Sequence, residues 1–99
     1  MTDPTAAVYV DALIGYPRTK GWRYGKSCHL FVDYETSLEV LHDFARRIGM
    51  KHEWFQVSNS GLPHYDLTAA RRSVAIQNGA IEASMHKIVE VMRKHRNEH

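Results

Sequence analysis

Residues 62–72, LPHYDLTAARR, hold the side chains best suited to chemistry. His64 titrates near neutrality and can act as a general acid or base, Asp66 supplies a carboxylate, and Arg71 and Arg72 offer guanidinium forks that match phosphate oxygens. The two cations stand where a helix is expected to begin, already the positive pole of its dipole. An anion sharing the site would explain them, because free N–H groups at a helix N-terminus and a guanidinium can hold a phosphate together. Asp66 as a simple cap, with an arginine paired to it or to a surface acid, accounts for the same residues without a ligand.

Residues 14–27, IGYPRTKGWRYGKS, carry Arg18, Lys20, Arg23 and Lys26 with no acid, interleaved with Tyr16, Trp22 and Tyr24. Such a mixture neutralises phosphates and stacks bases, although aromatic side chains packed back on a core would give the same composition. Asp11, Asp33 and Asp66, with His29 or His64, are donors suited to a divalent metal. His29 and Asp33 face one side of a strand but lie roughly 13 Å apart, too far to share an ion, whereas His64 and Asp66 in a loop could chelate together. Metalloprotease, phosphate-loop and dinucleotide fingerprints are absent, and no cofactor is named by the sequence. The single cysteine, Cys28, excludes an internal disulfide and a multi-cysteine zinc site, and within an apolar run it reads as a buried thiol.

The elements that must position these groups follow from periodicity. Residues 7–13 alternate as a strand, 14–27 form a long loop, and 28–33 form a second strand. Thr36 and Glu39 have capping-box spacing, and Leu38, Leu41, Ala45 and Ile48 repeat helically until Gly49. HEWFQV (52–57) reads as a short aromatic strand and SNSGLPHY (58–65) as a loop. Asp66, or Thr68, caps a helix that runs to Gln77 and closes at Asn78-Gly79. Residues 80–83 suit a last short strand. Ser84 then caps a helix whose apolar stripe is Met85, Ile88, Val89 and Met92.

Strands alternating with helices predict one α/β domain over 1–99, a small mostly parallel sheet of about four strands with three flanking helices in Rossmann-like βα units. Ligands of such sheets bind beyond the carboxyl ends of the strands. That rule gathers Asp11, Asp33, Gln56, His64, Tyr65, Asp66, Thr68 and Arg71 or Arg72 on one rim with the basic loop. Binding of a phosphate-bearing ligand, a nucleotide or nucleic acid, is the expected function, with phosphodiester or phosphoryl chemistry as a further step. His64 and Asp66 would be the catalytic pair. The rival is a non-catalytic interaction module, a homodimer or a phage-encoded protein acting on a host factor, with Trp22, Tyr24, Trp54 and Phe55 as exposed anchors.

The chain has 99 residues, 43% hydrophobic and 24% charged, with a formal charge of +2. These values describe an ordinary globular domain, too weakly basic to argue for nucleic acid by bulk charge. With no membrane-length apolar run and no leader-like N-terminus, the expected location is cytoplasmic. VYVDAL, GWRYGKSCHLFVD, LEVLHDFARRIGM, EWFQ, LPHYDLTAARR and NGA, in this order, resemble a small bacterial and phage family known only as a domain of unknown function. The run from His64 to Thr68 followed by arginine is the most specific part. The resemblance implies a complete, free-standing bacterial or phage protein and carries no activity with it.

Overall fold

The computed structural model describes residues 7–15 and 25–97. In chain order they form β1 (Val8–Val10), β2 (Ile14–Gly15), β3 (Lys26–Val32), α1 (Leu38–Arg47), a 3₁₀ turn (His52–Trp54), β4 (Gln56–Val57), β5 (Pro63–Leu67), α2 (Ala69–Gln77), β6 (Ile81–Glu82) and α3 (Met85–Asn97). The strands make one six-stranded sheet in the order β4-β5-β3-β1-β6, with β2 also paired to β3.

Among the described residues, β1 and β6 form the parallel pair; β1–β3, β2–β3, β3–β5 and β4–β5 are antiparallel. The sheet is therefore mixed and largely antiparallel, which overturns the expectation of a mostly parallel four-stranded, Rossmann-like sheet. The reason lies in connection length. Parallel neighbours need a crossover of about a dozen residues or more. Residues 58–62 are too few, and they close a hairpin in which the Ser58 N–H donates to the Leu62 carbonyl.

The expected loop at 58–65 hides β5. Turn-forming residues dominate its composition, yet Tyr65 and Leu67 alternate with His64 and Asp66, and a proline is tolerated at the first residue of a strand. Asp66 is consequently a strand residue and not a helix cap. Thr68 caps α2, its hydroxyl accepting the Arg71 N–H at 3.1 Å. Similarly, Ser37 rather than Thr36 caps α1. Half of the expected aromatic strand is the 3₁₀ turn, and β4 keeps two residues.

Alternation along the strands divides the side chains between two faces. Val8, Val10, Cys28, Leu30, Val32, Tyr65 and Leu67 join Leu41, Phe44 and Ala45 of α1 and Ala75 of α2 in the main core. On the opposite face Phe31 and Leu62, with Tyr9 beside them, pack beneath Ile88 and Val91 of α3. The stripe expected on α3 is rotated, since Met85 is 73% exposed while Val91 is 1% exposed. α3 seats on the carboxyl-end half of β3, with Lys87 paired to Asp33. No described helix is long and apolar enough to cross a membrane.

Candidate functional site

The half of that second face away from Asp33 is polar, and strand register makes it so. β1 runs antiparallel to β3 with Val10 opposite Leu30, so Asp11 comes beside His29. His29 is opposite Asp66 on β5, and His64 is opposite Gln56 on β4. Since side chains two apart on a strand share a face, Asp11, His29, His64, Asp66 and Gln56 form one polar row across four strands.

Hydrogen bonds fix the orientation of each member. Asp11, 7% exposed, accepts the His29 backbone N–H at 2.6 Å and lies 2.8 Å from His29 Nδ1. The carboxylate only accepts, so Nδ1 carries the hydrogen and Nε2 is the ring nitrogen left over. His64, 4% exposed, points Nδ1 at the Leu62 carbonyl at 2.8 Å, which likewise leaves Nε2, 3.4 Å from Asp66 Oδ1. Gln56 Nε2 donates to Asp66 Oδ2 at 3.0 Å. The imidazoles meet edge to face with centroids 4.9 Å apart. One donor atom from each of His29, His64 and Asp66 lies within 4.8 Å of the other two, a set able to converge on one cation.

Burial works against a charged His64, but Asp66 and the Leu62 carbonyl outweigh it and raise the imidazole pKa above its ordinary value. The hydrogen bond from His64 holds the Asp66 carboxyl below the usual carboxylate range. The imidazole therefore holds its proton more tightly than a free histidine does, beside a carboxylate that gives one up more readily. His29 and Asp66, with side chains 26% and 30% exposed, open it to solvent.

Other expected site residues lie elsewhere. Asp33, bonded to Lys87 and to the Tyr9 hydroxyl at 3.2 Å, fastens α3 at the far end of β3. Tyr65 points into the core on the opposite face, and Thr68 is a cap. Arg71 Nη1 donates to the Ile48 carbonyl at 2.6 Å, at the negative pole of α1, where Gly49 at φ +87° lacks the Cβ that would lie 2.7 Å from that guanidinium. Arg72 Nε donates to the Asp11 carbonyl at 2.9 Å, and its Nη2 pairs with Glu82 at 2.9 Å. Both cations at the start of α2 are thus matched by protein groups, and Arg72 serves the site through Asp11. Arg18, Lys20, Trp22 and Arg23, with Tyr24, lie outside the described residues.

Among the expected interface anchors, Trp54 is 44% exposed. Phe55, in contrast, packs against the core, with its ring 5.7 Å from Tyr65. Cys28 is buried, with its thiol pushed up to about 12 by burial, and so is unsuited to nucleophilic attack at neutral pH.

His29, a candidate metal donor from its residue type, is too far along its strand from Asp33 to share an ion with it. The carboxylate it meets across the strands is Asp66, opposite it on β5, while Asp11 bonds its Nδ1. The pairing becomes visible once 63–67 is read as a strand.

Behind the sheet the Tyr65 hydroxyl meets His42 Nδ1 at 2.7 Å, and the His42 ring lies tilted against His52 and edge-on to Phe55, with centroids 4.5 and 4.7 Å away. Burial, then His52, lowers the His42 pKa. Unfolding restores the ordinary value near 6.5, so the unfolded chain takes up the proton first and stability declines as pH drops through that value. The melting temperature of the wild type is expected to fall more between pH 7 and pH 5 than that of His42→Gln. Parallel curves would show that His42 does not govern this loss.

A family model described as a protein of unknown function (DUF4031) matches residues 8–95, and the chain belongs to that family. No curated protein and no solved structure matches it.

Proposed function

We propose that this member of the DUF4031 family binds a phosphate-bearing ligand, a nucleotide or a nucleic acid, on the polar half of its sheet, and that its chemistry there is hydrolysis at phosphorus. The observation that supports this reading is the meeting of His29, His64 and Asp66 on the part of the face beyond α3, with His29 and Asp66 open to solvent. A histidine that keeps its proton beside a carboxylate can deliver it to a leaving oxygen while water attacks phosphorus. What supports this role for His64 is its placement, with Nδ1 held by the Leu62 carbonyl and Nε2 turned toward Asp66.

Thermal shift with inorganic phosphate, nucleoside monophosphates and a short oligonucleotide tests binding, and turnover of bis(p-nitrophenyl) phosphate tests chemistry. A ligand at about 100 times its Kd is expected to stabilise the chain by about 2.7 kcal/mol. His64→Gln is expected to lower turnover about 100-fold. If no phosphate compound raises the melting temperature and none is hydrolysed, with or without divalent metal, the reading is wrong.

A further inference from the structure

We propose that His29, His64 and Asp66 bind one divalent transition-metal cation, and that this cation meets the negative charge of the phosphate ligand. The inference deepens the reading above and rests on it only for the identity of the ligand. It starts from a deficit. Asp11 and Asp66 make the polar row acidic, while Arg71 and Arg72 are engaged by Ile48, Asp11 and Glu82, so neither arginine is placed to receive a phosphate.

Each of the three donors is held by a separate partner through the heteroatom that a cation would not use. Asp11 holds His29 Nδ1, the Leu62 carbonyl holds His64 Nδ1, and Gln56 holds Asp66 Oδ2. What remains is Nε2, Nε2 and Oδ1. Partners that fix the tautomer and orientation of ligating side chains are a usual feature of protein metal sites. A hydrogen-bonded cluster alone needs less. Its internal link, His64 Nε2 to Asp66 Oδ1, is long at 3.4 Å, and His29 Nε2 makes no hydrogen bond to a described residue.

Metal–nitrogen distances of about 2.1 Å put tetrahedral ligand atoms about 3.4 Å apart. Donors now within 4.8 Å of one another must therefore draw in by about 1 Å or a little more at most. Rotation of the part-exposed Asp66 side chain can supply much of that movement. Two imidazoles and one carboxylate suit zinc, cobalt, iron or manganese better than magnesium or calcium, which take oxygen ligands. Three protein ligands leave a coordination position open for a phosphate oxygen or for water. A cation at Nε2 would take the place of the proton there, so His64 would serve as a ligand. Water held by the cation would supply the proton transfer that His64 performs in the metal-free site.

Metal-stripped full-length chain is titrated with Zn²⁺, and with Co²⁺ as a spectroscopic probe, without any phosphate. One equivalent is expected to bind, with imidazole ¹⁵N shifts at His29 and His64 in the wild type. His29→Ala and Asp66→Asn are each expected to weaken binding at least tenfold, while Mg²⁺ competes poorly. The wild-type shifts decide the matter even where a variant fails to fold. Absence of binding, or shifts confined to His42, His52, His86 or His95, would overturn the proposal. Phosphate-ester binding is then measured with and without Zn²⁺. Metal binding with no phosphate binding leaves the cation centre standing and removes its proposed use on phosphate. Equal phosphate binding without metal sustains the ligand reading and removes the cation from it.

Discussion

Asp11→Ala is expected to destabilise the chain by about 3 kcal/mol and to lower its melting temperature by at least about 12 °C. The carboxylate is 7% exposed and receives both the backbone N–H and Nδ1–H of His29, at 2.6 and 2.8 Å. Alanine leaves both part-buried donors without their acceptor, and two lost charge-assisted bonds set the size of the effect. Asp11→Asn separates structure from function. Its side-chain oxygen can still accept the backbone N–H, so stability should drop by about 1 kcal/mol, but its NH₂ faces Nδ1 as a donor. His29 then carries its hydrogen on Nε2, the nitrogen a cation needs. Chemical denaturation and Zn²⁺ titration of both variants check this, with loss of zinc affinity expected in the asparagine variant despite its near-native stability. An asparagine variant that binds zinc as the wild type does would show that Asp11 does not orient His29.

Phe31→Ala is expected to cost about 3–5 kcal/mol, a large part of the about 5–15 kcal/mol that a domain of this size possesses. Phe31 is 0% exposed and stacks 5.8 Å from Tyr9, and with Leu62 it forms the floor on which Ile88 and Val91 seat α3. Truncation opens a cavity between helix and sheet that α3 cannot fill without giving up the Lys87–Asp33 pairing. Met85→Ala on the same helix, at a residue 73% exposed, should change stability by less than about 0.5 kcal/mol. Urea unfolding of the two proteins distinguishes them, and similar midpoints would mean that α3 does not pack as described.

Local signals carried much of this structure. Helical repeats mark α1 and α3, a cap and the Asn78-Gly79 stop mark α2, and the glycines at 49 and 79 stand at positive φ after α1 and α2. Alternation marked β1 and β3. The same kind of signal was present in Pro63–Leu67, but proline, histidine and aspartate are frequent in turns, and the helix that begins at Ala69 drew Asp66 into the role of its cap. Two consequences follow from reading those residues as a loop: the connection after β4 is long enough for a crossover, and His29 has no carboxylate opposite it on the next strand.

Through its periodicities and residue types, the sequence by itself determined that helices and strands combine in one chain, that His64 and Asp66 stand two residues apart, and that Arg71 and Arg72 follow them. Only the tertiary structure decided the direction of strand pairing, because a short hairpin at 58–62 forces β5 antiparallel to β4. It also decided the destination of the two arginines, through carbonyls contributed by residues 23 and 61 positions away along the chain. Periodicity is set by neighbours within a few residues. The site depends on four strands in register, so Asp11, His29, Gln56, His64 and Asp66 meet only after the sheet has formed.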